Sequence, residues 1–508
     1  MCNFVPRLIL MMMVGRLQDG PMLLSGVGMG SMYNNICGQS FIIATSFGAT
    51  SLLSQAFGAK NFVRVGQVLQ RMLLIHLTIF LLLVVPLAVW CEPLLLAAGQ
   101  PADVAALTKR FVWGRVFAMP FVILSTDLTA FLAAQRIART PMWITLASAA
   151  LTLVLSCVLV RDDSLGYDGA AVTLSIGEAF SGLAMLAATP RVLPRHGRAS
   201  TWPVWSWRDA TRGWGECLML AAPSAVVVMS EWAGWEASVL MAGWLCPTPP
   251  PRDVLANATI TLDATECTEL EAFPILSQTM VVLFLAHFGF SIACGNRVGN
   301  LLGEDQPKRA KTCALATLGF VLAFVSLMCA ALIGLKHHWA SFFLGAADAT
   351  AASRQVAATV AAVLPIVAAY IFLDTIGPAW AHQILFGVGR LTYPMLNNFL
   401  SFWVLGLPLG HHLAFGSGWD LAGLWLGLVC GMAALDGGLL VYLLAYLDWG
   451  LMARDARRRA LKGAGTSEAG ATSGTECTFA SAGAEPVHLE GDRVGLASAD
   501  SAAARHAS

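Results

Sequence analysis

Charge is what this 508-residue sequence has least of: Asp, Glu, Lys and Arg make up 12% of it, against roughly a quarter in a soluble chain. That deficit excludes an ordinary solvated surface. Alternation of apolar and polar residues is also missing, which excludes a membrane β-barrel. No Gly-rich loop ends in Lys-Ser or Lys-Thr, so the phosphate cradle of an ATP-driven machine is absent. Twelve cysteines are present, yet none are spaced as C-x-x-C, and no metal-ligand or nucleophile constellation occurs. The parts of an enzyme are wanting, and no cofactor or metal is expected. Net charge is formally zero, with the charges lying between apolar runs, so nothing points to nucleic acid. No signal-peptide layout precedes a soluble domain, so the helices themselves must direct insertion.

What is present is apolar length. The chain is 57% hydrophobic with a mean hydropathy of +0.67. Runs such as Met72 to Trp90 and Trp143 to Val160 reach about 18 residues, enough to cross roughly 30 Å of hydrocarbon. In lipid every backbone polar group must be satisfied internally, so repeated runs of this kind mean an all-α membrane protein. About twelve spans are expected, near 3–17, 22–48, 68–91, 107–133, 141–160, 168–190, 217–244, 272–296, 312–336, 358–384, 393–413 and 421–447. The first is defective: Phe4 to Val14 is short and broken by Pro6 and Arg7, and the expectation is a truncated helix whose true start is missing.

Basic residues occupy alternate loops: Lys60 and Arg64, Arg136 and Arg139, Arg191 to Arg212, Lys308 to Lys311, Arg390, and Arg454 to Lys462. Acidic residues such as Glu92, Asp103, Asp163 and Asp263 occupy the others. The basic side is expected to be cytoplasmic. The acidic side carries the one glycosylation sequon found, at Asn257, and two cysteines, Cys246 and Cys267, that could bridge if the loop faces an oxidising compartment. The expected organisation is an N-terminal lobe over 1–190, a cytoplasmic connector over 191–212, a C-terminal lobe over 213–447, and a cytoplasmic, largely disordered tail over 448–508.

The halves repeat. Gly58-Ala59-Lys60 after the second span answers Gly303-Glu304-Asp305 after the eighth, Pro120 answers Pro365, and Arg139-Thr140-Pro141 answers Thr392-Tyr393-Pro394. All three offsets are about 245 to 253 residues, in the same order. Equal orientation implies parallel repeats about the membrane normal, an arrangement suited to alternating access.

An ionisable side chain in mid-bilayer costs several kcal/mol, so each is a site candidate. The seventh span carries Glu231 and Glu236, about 140° apart around the helix. The tenth carries Asp374, between Tyr370 and the helix-breaking Pro378. A carboxylate in such a place can load and release a proton, which makes these three the candidate proton-coupling residues. Candidates for the substrate cleft are Asn34, Asn35, Gln39 and Asp127 in the first half, and Trp232, Trp235 and Tyr370 in the second. Glu178 and Asp436 are also intramembrane, with no partner evident from sequence. His76, His287 and His382 are expected to be satisfied by neighbours.

Several segments resemble the multidrug and toxin extrusion (MATE) transporters, in their eukaryotic form. Gln55-Ala56-Phe57-Gly58-Ala59, followed by Gly66 and Gln70-Arg71, is similar to that family's "QAFGA…G…QR" segment. Arg297-Val298-Gly299-Asn300-Leu301-Leu302-Gly303, then Pro307-Lys308-Arg309-Ala310-Lys311, resembles "RVGNELG…PKRAK". Glu231-Trp232-Ala233-Gly234-Trp235-Glu236 resembles the seventh-helix "EWWAYE", and Gly423-Leu424-Trp425-Leu426-Gly427 with Asp448-Trp449 resembles the closing "GLWLG…DW". The likeness covers about residues 14 to 460. It implies two pseudo-symmetric six-helix lobes, multi-pass insertion in the plasma membrane or an organellar membrane such as the vacuole's, and a monomer. It further implies export of organic cations, drugs or metabolites in exchange for H+. Na+ coupling, a lipid-flipping relative and a degenerate, non-transporting membrane protein or sensor are the alternatives. Three departures stand out: the shortened first helix, Ala233 and Trp235 in place of aromatic and tyrosine, and an outer loop of about 27 residues before the eighth helix.

Overall fold

In the computed structural model, residues 4–18, 20–161, 163–193, 200–245, 268–344 and 351–461 are described, and nearly all of them are helical. Asn257, Cys246 and Cys267 lie outside the described residues. In chain order the principal helices are α1 (Phe4–Val14), α2 (Met22–Gly58), α3 (Phe62–Val89), α4 (Ala102–Val116 and Met119–Ala134), α5 (Arg139–Leu159) and α6 (Tyr167–Val192). They continue with α7 (Trp214–Trp244), α8 (Ala272–Gly303), α9 (Pro307–Gly334), α10 (Arg354–Val388), α11 (Thr392–Gly416), α12 (Asp420–Tyr446) and α13 (Trp449–Leu461).

Among the described residues ten helices are long and apolar enough to cross a membrane, and α4 makes an eleventh if its two pieces, bent by 54°, form one span. The bend falls just before Pro120, at the start of the second piece, where proline is tolerated and the preceding residues are pushed from helical geometry. α1 has only 11 residues, as its apolar run implied.

Burial divides the molecule in two. Three apolar clusters draw on residues from Leu10 to Cys217, and one larger cluster runs from Met241 to Ala456. A small fifth cluster, Val227, Phe386 and Leu391 with Phe47 and Leu220, joins the halves. The two bundles repeat each other down to their helix caps. Asn61 N donates to Ala56 O, closing α2 with Lys60 at φ 59°; Gln306 N donates to Leu301 O, closing α8 with Asp305 at φ 60°. Likewise Ile137 N donates to Leu132 O after α4, with Arg136 at φ 65°, and Arg390 N to Leu385 O after α10, with Gly389 at φ 77°. Each is a left-handed residue terminating a helix.

The connector is pinned rather than loose over its described part. Gln70 donates to Val204 O at 2.7 Å, Arg71 to Asp209 O at 3.1 Å, and Thr201 to Gln135 at 2.7 Å. The Gln70-Arg71 pair singled out in the sequence is thus a clamp on the connector. The chain after α12 also has structure: α13 buries Met452, Ala453, Ala456 and Ala460, one face of a helix, where sequence suggested only the start of a tail.

Candidate functional site

The candidate coupling residues come together around a loosened stretch of α10. Pro378 has no amide hydrogen, and over Thr375–Ala381 the helix widens to π geometry. Asp374 sits immediately before this bulge, buried, with its Oδ2 unbonded. Glu231 of α7 lies within Coulombic range of it, so the structure brings these two predicted residues together. Glu236, half-buried further along α7, stands outside this interacting set.

Tyr370, one turn before Asp374, is the hub. Its hydroxyl is fully buried, has the Trp235 indole N–H as its near donor, and lies within Coulombic range of Asp374, Glu231 and Asp436. Its ring meets Trp235 edge-on at 5.4 Å and Trp425 at 5.8 Å, while Trp235 and Trp425 lie 5.6 Å apart. Tyr370 and Trp235, expected to line a cleft, are packed into this aromatic cluster. Trp232 is half-buried on α7.

The first-half candidates are dispersed. Asn34 is buried, and Asn35 and Gln39 are half-buried, at a second π-helical bulge, Asn35–Gln39 in α2. Asp127 does not face open space: it is buried inside the N-terminal lobe, where Ser46 donates to it at 3.0 Å and His76 Nδ1 lies 2.9 Å away. The other ring nitrogen of His76 meets Thr45 at 2.6 Å. Glu178, without a partner in the sequence reading, is bonded by Arg115 at 2.6 Å and flanked by Arg7 at 3.5 Å. Asp436 is the residue that sequence reasoning noted and left unassigned. It was legible only as a charge within α12, because the feature that gives it a place, the Gly377 backbone, is 59 positions away.

Away from this centre, the lobes meet at the end carrying the basic loops. Contacts run from residues 47–58 of α2 to α7, α8 and α10. Phe47 stacks on Phe386 at 5.4 Å, Gln55 donates to the carbonyls of Gly387 and Val388 at 2.8 and 3.1 Å, and Gly48 lies against Leu220. Glu231 lies beyond this seal, about 10 Å further along α7 than Ser224. A cavity of about 550 Å³ at the seam is lined by Gly58, Lys60, Gly303, Glu304 and Arg457 among others. Neither Glu231 nor Asp374 lines it.

Comparison with known proteins gives a consistent answer. The MatE family model matches residues 1–158 and 265–411, more than half of the chain. Protein DETOXIFICATION 51 of Arabidopsis thaliana is 28% identical over 451 residues, covering 87% of this chain and 77% of its own. Multidrug and toxin extrusion protein 2 of Mus musculus is 28% identical over 435 residues, covering 84% and 68%. The crystal structure of the eukaryotic MATE transporter AtDTX14 superposes with a TM-score of 0.76 at 21% identity, over 90% of this chain and 95% of that one. The fold is therefore the two-lobe, twelve-helix arrangement of those structures, in a multi-pass membrane protein.

Proposed function

The chain belongs to the MatE family, the multidrug and toxin extrusion transporters, and from that membership we propose that it exports organic cations or metabolites in exchange for protons. One observation carries the coupling: half-buried Glu231 and buried Asp374 lie within Coulombic range of each other beyond the interlobe seal, and an Asp374 oxygen there lacks any donor. Two anions in such a place require a cation, a proton or both to be stable. An organic cation supplies that charge in one half of the cycle, and protons supply it in the other.

The cycle follows from competition. With the lobes sealed at the basic, cytoplasmic end, protons reach Glu231 and Asp374 from the opposite side and displace the substrate. The neutralised lobe then reorients, opens toward the cytoplasm, releases its protons and takes up the next cation. Aromatic faces such as Trp232 suit a cationic guest. The π bulge at Pro378 gives α10 a point about which to bend.

The test is efflux of a fluorescent organic cation from vesicles carrying an imposed pH gradient, with Asp374→Asn as the control. Gradient-driven efflux lost in the variant supports the assignment. Efflux that follows a Na+ gradient alone would replace the coupling ion, and no efflux from a well-folded protein would favour the non-transporting alternative.

A further inference from the structure

Asp436 lies within α12, ten residues before Tyr446, or ~15 Å along the helix and so at mid-bilayer depth. It is buried, with 4% of its surface exposed, and the one donor that reaches it is the Gly377 backbone amide; no side chain donates to either carboxylate oxygen. What faces it across the helix interface is the backbone of the α10 bulge. A Cβ at Gly377 would stand 2.3 Å from Asp436 Oδ1, so only glycine admits the carboxylate at that distance. Glycine there, three residues after Asp374 and one before Pro378, brings α12 into reach of the part of α10 that can bend.

Asp374 and Asp436 lie within Coulombic range of each other. Between them, Asp374 Oδ2 and both oxygens of Asp436 are buried without a side-chain donor, the Gly377 backbone amide being the one polar group that reaches Asp436. Other groups facing Asp436 do not compensate this charge. α10 contributes the Tyr370 hydroxyl, engaged by Trp235, and α7 contributes Glu231, within Coulombic range of the same hydroxyl. α11 contributes Asn397 and Tyr393, whose donors are used by the carbonyls of Leu435 and Gly438. α8 contributes His287, engaged with Thr375 at 3.3 Å and with Leu283 O. No Lys or Arg stands among them. Two carboxylates in one dry space cannot both be ionised without a cation or proton between them.

We propose that Asp436 is a second proton-carrying carboxylate of the transport cycle, paired with Asp374 across Gly377. The inference rests on the antiport reading above and adds a stoichiometry to it. Glu231 and Asp374, in Coulombic range of each other, share the first proton taken from the side of substrate release, Asp436 takes the second, and both are returned to the cytoplasmic side. Two protons then move for each cation exported. Neutralising Asp436 also removes the repulsion between α10 and α12 beside the bulge, linking proton loading to the bend.

The experiment uses the full chain in proteoliposomes with membrane potential clamped at zero and a gradient of one pH unit. Two protons per cation allow a fluorescent organic cation to accumulate about 100-fold, and one proton about 10-fold, since each pH unit is a factor of ten per proton. Asp436→Asn keeps the shape and removes the charge; it should lower accumulation about tenfold and halve the slope of log rate against pH. Gly377→Ala, which pushes the carboxylate out of its place, should do the same, and serves in its stead should the first variant not fold. Unchanged accumulation and slope in both variants, with Asp374→Asn inactive, would overturn the proposal while leaving the antiport reading intact. Proton-driven transport surviving at full accumulation in Asp374→Asn would overturn the assignment of Asp374, and with it the pairing proposed here, while leaving proton antiport intact. Accumulation in the native chain that tracks a Na+ gradient and ignores pH would overturn both.

Discussion

Gly58 of α2 lies against the backbone of Asn300 in α8: a Cβ added at position 58 would stand 2.0 Å from the Asn300 carbonyl oxygen. The contact is backbone on backbone, so neither side can yield by rotating a side chain. Gly303 makes the reciprocal approach to Gln55 O, at 2.2 Å. The two motifs that repeat in sequence are thus the two faces of one seam. Gly58→Ala should force the lobes apart at the basic end, at an overpacking cost of about 1–3 kcal/mol. That is enough to shift a two-state equilibrium about 5- to 150-fold. Spin labels at the exposed positions Lys60 and Lys308 should then report a new population at longer separation. An unchanged distance distribution would mean that the seam does not govern closure.

His76 and Asp127 form a buried clamp between α3 and α4, with Thr45 and Ser46 of α2 completing it. His76→Ala leaves the Asp127 carboxylate with Ser46 as its remaining donor and one oxygen unpaired, while Thr45 keeps its bond to the Phe41 carbonyl, and should cost about 1–3 kcal/mol of stability. Thermal unfolding in detergent measures the loss. Asp127→Asn, which retains acceptor capacity for Ser46, should leave substrate affinity unchanged. A large change in affinity without a change in stability would return Asp127 to the substrate cleft.

The contrast between these two sites shows what sequence could carry. Apolar runs located the spans because bilayer thickness imposes their length. The apolar run of α2 stops near residue 48, yet the helix continues to Gly58. Residues 49–58 read as polar, but Ser54 returns its hydroxyl to Thr50 O at 2.7 Å and Gln55 spends its amide on the other lobe. Polarity satisfied within the helix or across a seam looks, in sequence, like a loop. The pairing of Glu231 with Asp374 was legible as two misplaced charges. The His76–Asp127 clamp and the approach of Asp436 to Gly377 were not, because each joins positions 51 or more residues apart with no shared motif.

α13 crosses the seam, and its removal should be felt there. Arg459 donates to Val388 O at 2.7 Å and Gly389 O at 3.3 Å, capping the end of α10. Asn61, from the first lobe, donates to Ala460 O at 2.9 Å, while Arg390 holds Asp455 at 2.8 Å. Burial holds the Arg459 guanidinium below the ordinary arginine pKa, although it stays charged at any working pH. Arg459→Ala leaves two terminal carbonyls of α10 and its cap uncompensated, and should lower stability by about 1–3 kcal/mol. It should also raise the open population seen by the Lys60 and Lys308 labels. Stability reduced with the label distances unchanged would make α13 a brace for α10 alone.

The sign of the pH effect separates competition from simple activation. If protons and the cation contend for Glu231 and Asp374, acidifying the side of release speeds export, because protons displace the substrate there. Acidifying the cytoplasmic side slows it, because the same carboxylates are then occupied before the cation arrives. Each unit of acidification weakens cation affinity by up to about tenfold for every competing proton. Binding of a fluorescent organic cation to detergent-solubilised protein should therefore weaken steadily as pH falls, and weaken less steeply in Asp374→Asn. The variant should also bind less tightly at high pH, having lost one anion that attracts the cation. An affinity that is independent of pH in the native chain would remove competition as the coupling principle, since a proton that never contends with the substrate cannot drive its release.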